Sequence, residues 1–353
     1  MLTVLSVAYP LAAVSDATPG GAEQVLSLLD RALTETGHRS IVVAREDSAV
    51  HGTLVPTPYR DGPFTEDVKA AAEADHRRAI ATALDRWPVD LVHVHGLDFI
   101  TYLPLPGVPV LVTLHCPLEW YDAAALRPGR PETYFHCVSA SQRRTMPPDL
   151  DLLPDIPNGV DAERLRARHA KRRFVLALGR IAPEKTFELA LDAAKLAGFP
   201  LLLAGAVCPY KDHECYFRRD IAPRLDAKRR FIGPVGFARK RRLLTAARCL
   251  LVPSRIAETG SLVAMEALAC GTPVVAFPNG ALADVVEHGR TGFLVQDVRE
   301  MADAIGAAAS IDPEVCRDVA RERFSAAHMV RSYLDLYRRV ARRSRASADR
   351  QVA

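Results

Sequence analysis

Two carboxylates and two cations stand at spacings that invite chemistry. Glu258 and Glu266 are eight positions apart in SRIAETGSLVAMEALACGTPVVAF (residues 254–277), one before and one inside a predicted helix. Carboxylates are strong acceptors for the vicinal hydroxyls of a sugar or ribose. Arg180 and Lys185 occur in LALGRIAPEK (residues 176–185), where a strand ends at Gly179 and Pro183 with Glu184 opens a predicted helix. A lysine in a first helical turn opposes the helix dipole, so an anion nearby is expected, and a guanidinium fork beside an ammonium suits a diphosphate.

Two further stretches add candidates. In TPGGAEQ, Gly20 and Gly21 lead into a helix and offer unblocked N–H groups to an anion or a sugar hydroxyl, although such a pair also makes a plain turn. Thr259, Gly260 and Ser261 fall at the start of the helix that carries Glu266, with Leu262 just inside it. His115 ends the apolar run VLVTLH, while His93 and His95 in VHVHG read as strand-packing residues.

The elements that must position these groups follow from apolar patterning. Short Val/Leu/Ile runs alternate with longer amphipathic segments, the pattern of parallel sheets covered on both faces. Strands are predicted at TVLSVA, SIVVA, DLVHVH, VPVLVTL and YFHCVS, then at RFVLALG, FPLLLAG, RRFIGPV, RCLLVPS, TPVVAF and GFLV. Helices are predicted at 21–36, 66–86 and 184–197, the last with Phe187, Ala190, Leu191 and Ala194 on one face. A Pro-rich, charged stretch around 157–172 reads as a linker. Two Rossmann-like domains facing a cleft are expected, with ligands outside the carboxyl ends of the strands.

Composition narrows the class. The chain has 353 residues, is 49% hydrophobic and 25% charged, and carries a net charge of +4, as a globular protein of two domains would. Gly-x-Gly-x-x-Gly and Walker loops are absent, which removes the main support for dinucleotide oxidoreductases and P-loop enzymes. The seven cysteines are scattered and odd in number, as expected in a reducing cytoplasm, and Cys208, His213 and Cys215 lack a second ligand pair, so no metal is assigned. The apolar start is too short to span a bilayer and reads as a buried strand. The runs AKRRF and ARKRR and a tail with Arg338, Arg339, Arg342, Arg343 and Arg345 read as solvated surface, or as contacts to anionic lipid or a phosphate-bearing substrate. No aromatic-studded basic groove accompanies them, so nucleic acid is not expected.

Residues 254–295 resemble the donor-binding segment of the family-4 retaining glycosyltransferases of GT-B fold, whose mark is Glu, seven residues, Glu. PGGAEQ, VTLH, VSASQ, PNGVD, LGRIAPEK and LLLAG extend the resemblance over nearly the whole chain. It implies an α/β GT-B architecture with an acceptor-binding domain at 1–157, a donor-binding domain at 172–325 and a helix at 326–345 packing back toward the first domain. It implies transfer, with retention, from a UDP- or GDP-sugar to a sugar, lipid-linked or small-molecule acceptor, in polysaccharide, glycolipid or glycoside synthesis.

By the same resemblance, Glu266 is the ribose-binding acid and Glu258 the acid near the transferred sugar. Arg180 and Lys185 form the diphosphate clamp beside Gly179, while Gly260, Ser261 and Leu262 offer backbone donors. Gly21 lies near the leaving phosphate and His115 touches the sugar at the reaction centre. The family commonly has Phe-Gly where Gly260-Ser261 stands, and Gly where Thr186 stands. No cofactor is expected: no Asp-x-Asp pair suits a metal-bound diphosphate, so the cationic clamp is expected to stand in for Mg²⁺. A nucleotide-sugar epimerase or a non-catalytic nucleotide-sugar-binding module is the alternative. The basic terminal helix, with Tyr333, Leu336, Tyr337 and Val340 on its apolar side, is expected to allow peripheral contact with the inner face of the membrane. Beyond it, residues 344–353 are expected to fray.

Overall fold

The computed structural model describes residues 1–352 other than 17, 19, 61 and 63, with side chains described up to Arg343. The chain divides into two compact units, residues 1–157 with 328–353, and residues 158–327.

In the first unit, β1 (Thr3–Val7), β2 (Arg39–Arg45), β3 (Thr53–Thr57), β4 (Leu91–Val94), β5 (Val110–Leu114) and β6 (Thr133–Cys137) form a parallel sheet in the order β3-β2-β1-β4-β5-β6. Helix α1 (Gly21–Glu35) follows β1, α2 (Glu66–Arg86) follows β3 and α3 (Ala140–Thr145) follows β6. β1, β4 and β5 are buried along their whole length, which is why they read as continuous apolar runs. Strand β3 is absent from the sequence prediction. Its Pro56 interrupts the apolar pattern, and the strand is tolerated because it lies at the sheet edge.

The second unit repeats the plan. Strands β7 (Val175–Leu178), β8 (Leu201–Ala204), β9 (Arg229–Phe231), β10 (Leu250–Val252), β11 (Val274–Ala276) and β12 (Gly292–Leu294) form a parallel sheet ordered β12-β11-β10-β7-β8-β9. Counted from its own first strand this is the Rossmann order of the first sheet, with the connection reversing between β7 and β10. The helices are α4 (Ala162–Leu165), α5 (Phe187–Leu196), α6 (Lys211–Tyr216), α7 (Phe237–Ala246), α8 (Leu262–Ala269), α9 (Leu282–Val285), α10 (Val298–Ala307) and α11 (Pro313–Arg323). Phe187, Ala190, Leu191 and Ala194 of α5 are all buried, as their spacing predicts.

Four expectations need correction. The predicted helix at 184–197 begins only at Phe187: residues 183–185 form a 3-10 turn, and Thr186 adopts the left-handed conformation (φ 44°, ψ 44°). A β-branched residue there is strained, where a glycine would not be. The stretch read as a linker packs onto the second unit: Val160 N–H donates to Phe324 O (2.8 Å), and Ala326 N–H donates to Val160 O (2.9 Å). The terminal helix α12 (Ala326–Val352) continues into the segment expected to fray, although the side chains from Ser344 on, Arg345 among them, and residue 353 lie outside the described residues. Tyr333, Leu336, Tyr337 and Val340 are buried against the first unit, so the apolar face assigned to a lipid surface is already covered by protein. No helix among the described residues is long and apolar enough to cross a membrane.

Candidate functional site

The second unit gathers most of the predicted residues at the carboxyl ends of β7 and β10, the neighbouring strands where its connections reverse direction. In open α/β sheets this switch point is where ligands bind. Gly179 and Arg180 follow β7 directly. Gly205 has no side chain because a Cβ there would fall 1.8 Å from Gly179 O, and its φ is +150°. The loops after β7 and β10 are stitched together: Thr186 Oγ1 donates to Pro253 O, and Arg255 N–H donates to Glu184 O (3.3 Å).

This stitching places Lys185 against the β10 loop, and its Nζ lies 2.6 Å from Glu258 Oε1. Both side chains are largely buried, at 24% and 12% exposure. Arg180 donates to Glu184 Oε1 at 3.1 Å. The two clamp cations are thus already partnered by carboxylates of the chain, where the sequence reading left them waiting for an external anion. Lys185 also lies in the 3-10 turn before α5 and not in the helix's first turn, and its partner there is Glu258.

Glu258 is held from the other side as well. Gly280 approaches its backbone so closely that a Cβ would fall 2.4 Å from Glu258 O, and Ala281 N–H donates to that oxygen at 2.7 Å. Asn279 Nδ2 donates to Ser254 O at 2.8 Å. Asn279 and Gly280 are therefore site-building residues that the sequence reading missed. The dipeptide Asn-Gly signals only a tight turn, and its contact with the loop after β10 is tertiary.

Gly260 and Ser261 are buried, and Leu262 opens α8. The first N–H groups of a helix have no partner inside it, so the Gly260–Leu262 stretch presents backbone donors with the positive end of the α8 dipole. Ser261 Oγ is buried with no hydrogen-bond partner. Glu266 lies about one turn into α8 and is buried. Its Oε1 accepts from Lys240 Nζ at 2.5 Å, a pair at 10% and 15% exposure. Lys240 belongs to the run ARKRR read as solvated surface. A charge run carries no mark of which member turns inward.

The remaining two residues belong to the first unit. Gly21 is the exposed first residue of α1. A Cβ on Gly20 would fall 1.8 Å from Glu23 Oε2, so the start of α1 already faces a carboxylate of its own first turn, a favourable arrangement against the dipole. His115 follows β5, and its backbone is clamped: buried Gln142 donates through Nε2 to Leu114 O (2.7 Å) and Cys116 O (3.0 Å). Gln142 Oε1 accepts from Val138 N–H (2.8 Å), and Cys116 N–H donates to Tyr121 Oη (3.1 Å). His115 Nε2 lies 3.0 Å from His95 Nδ1. Burial pushes the His115 imidazolium down to about 3, helped by His136, so the ring is neutral at neutral pH.

Among the described residues no group of three or more His, Cys, Asp or Glu is placed to hold a metal ion. The arrangement in the second unit offers cations, helix N–H groups and acidic acceptors, a set that suits a ligand with both phosphates and hydroxyls.

Comparisons with known proteins identify the family. Residues 172–310 match the family described as "Glycosyl transferases group 1", and residues 19–164 match "Glycosyltransferase Family 4". The D-inositol 3-phosphate glycosyltransferase of Mycolicibacterium smegmatis is 32% identical over 228 residues, 62% of this chain and 52% of that protein. The chain thus spans about half the length of this curated relative. AviGT4, a glycosyltransferase involved in avilamycin A biosynthesis, is 26% identical with a TM-score of 0.71, over 97% of this chain and 98% of its own. Anabaena HepE in complex with UDP-glucose shares the fold at 20% identity and a TM-score of 0.73, over 95% of this chain and 99% of its own.

Proposed function

Because the chain belongs to the family-4, group 1 glycosyltransferases of GT-B fold, we propose that it transfers a sugar from a nucleoside diphosphate sugar to a hydroxyl of an acceptor, with retention at the anomeric carbon. The observation that carries the reading is the meeting of Lys185, Arg180, Glu258 and the α8 start at one switch point. Arg180 and Lys185 take the diphosphate, and the N–H groups of Gly260, Ser261 and Leu262 share its charge. Glu266 takes the ribose hydroxyls. Glu258 lies beside the transferred sugar, and contact with a sugar is the role proposed for His115.

The charge balance explains how leaving-group departure is assisted. A bond breaking at the anomeric carbon leaves its electron pair on the diphosphate oxygen, and preorganised cations and helix N–H groups stabilise that charge as it develops. Before donor binds, Glu258 holds Lys185. A diphosphate carries more charge than one carboxylate and draws the ammonium toward itself, freeing Glu258 to accept from sugar hydroxyls.

HepE bound to UDP-glucose supports a UDP-sugar as the first donor to test. The inositol-phosphate enzyme supports a phosphorylated polyol as the first acceptor. The test is donor consumption by the purified chain with UDP- and GDP-sugars, with and without inositol phosphate, read by product mass and anomeric coupling. Transfer with retained configuration is expected. Isomerised donor formed without acceptor, or binding of donor with no turnover under any acceptor, would overturn the reading.

A further inference from the structure

A buried polar seam runs along the face of the first sheet that α12 covers. It contains His93, His95, Thr113, His115 and His136, closed by Tyr333 and Tyr337. Burial keeps these histidines neutral, so each ring carries one proton and the hydrogen bonds have a direction.

One end fixes the order. His136 Nδ1 lies 3.1 Å from Cys137 O, a group that only accepts, so Nδ1 holds the proton and Nε2 is bare. Thr113 must then donate to His136 Nε2 (2.6 Å). With its proton committed, Thr113 accepts from His93 Nε2 (2.7 Å) and from Tyr333 (3.3 Å). His93 Nδ1 is therefore bare and accepts from Tyr337 (2.7 Å).

His95 lies tilted against His93, with ring centroids 3.9 Å apart and the planes at 47°, and its Nε2 is buried with no hydrogen-bond partner. If His115 donated to His95 Nδ1, His95 would bury an N–H with no acceptor. The reverse direction leaves only an unused lone pair, and orphaned buried N–H groups are the rarer of the two. We propose that His95 is the positioning residue for His115: its Nδ1–H donates to His115 Nε2 and leaves His115 protonated on Nδ1, as a hydrogen-bond donor toward a sugar hydroxyl. The Gln142 clamp fixes the backbone on either side of His115, and the bond from His95 meets the ring at Nε2. The part of the claim that concerns sugar rests on the transferase reading; the tautomer does not.

The experiment is long-range ¹H–¹⁵N correlation on the full chain labelled with ¹⁵N-histidine, at neutral pH, with His115 assigned by its loss in His115→Gln. A protonated Nδ1 and a bare Nε2 on His115 are expected. His95→Asn, whose amide nitrogen replaces Nδ1, should preserve that state, whereas His95→Leu should let both tautomers appear. With UDP-glucose turnover as the second readout, His95→Leu should lower kcat by about tenfold, one hydrogen bond's worth, with donor KM within about twofold, and His95→Asn should restore it. A proton on His115 Nε2 in the natural chain overturns the proposal without any variant, as does an unchanged tautomer in His95→Leu. An intact tautomer with no donor turnover would instead strike at the transferase reading, so the two failures register separately.

Discussion

Lys185 Nζ and Glu258 Oε1, contributed by loops 73 residues apart, lie 2.6 Å from each other at the switch point of the second sheet. On the proposed reading each serves a different part of the donor, and within the chain each is the other's partner.

That relationship makes the two mutants differ in kind. Lys185→Ala should lower kcat by roughly 10² to 10³, because the ammonium opposes charge that develops only as the sugar leaves. Glu258→Gln removes the competitor for Lys185, so UDP alone should bind a few-fold more tightly while turnover falls. Calorimetric titration with UDP beside steady-state kinetics checks both; weaker UDP binding in Glu258→Gln would show that the pair does not compete with diphosphate.

Glu266 should behave as a ground-state contact, since ribose hydroxyls do not change during transfer. Glu266→Ala should chiefly raise donor KM, with kcat changed much less. It also strands Lys240 in a buried position, and breaking such a pair from one side costs about 3 to 5 kcal/mol. Chemical denaturation should therefore show Glu266→Ala to be clearly less stable than the double variant Glu266→Gln with Lys240→Met, in which neither charge remains.

On the proposed reading, in which side-chain cations and helix N–H groups take the diphosphate, turnover should be independent of divalent metal. Addition of EDTA is expected to leave the rate within about twofold. Activity lost to chelation and restored by Mg²⁺ or Mn²⁺ would place a metal at the leaving group.

The first unit should be acid-labile. Burial holds His76 and His136 down to about 4 and His115 to about 3, and holds His93 and His95 well below the usual histidine range. Between about pH 6.5 and these values the unfolded chain binds protons that the folded chain refuses, so stability is lost as pH falls through that window. Each group contributes up to about 1.4 kcal/mol per pH unit. Urea midpoints measured at about pH 7.5, 6.5 and 5.5 should drop steeply between the last two. A midpoint flat across that range would mean that the seam accepts protons without unfolding.

Much of this protein is legible in the sequence, because apolar runs report burial directly. Strands β1, β4, β5, β7, β8 and β11 read as Val/Leu runs since both faces of a parallel sheet are covered, and the period of α5 names its buried face. Glu258, Glu266, Arg180 and Lys185 are visible by type and spacing, together with their place after strands. The tertiary structure alone decides their partners. Glu258 meets Lys185 and the Asn279–Gly280 turn, Glu266 meets Lys240, and His115 meets His95 and Gln142, each across loops or strands whose approach depends on sheet order. The apolar side of α12 shows the same division. Its pattern specifies that a face must be buried, but a periodic stripe is equally satisfied by lipid or by protein, and only the folded chain shows Tyr333 and Tyr337 closing over buried histidines. Local patterning records how much a residue avoids water; which group it meets there is set by contacts between segments far apart in the chain.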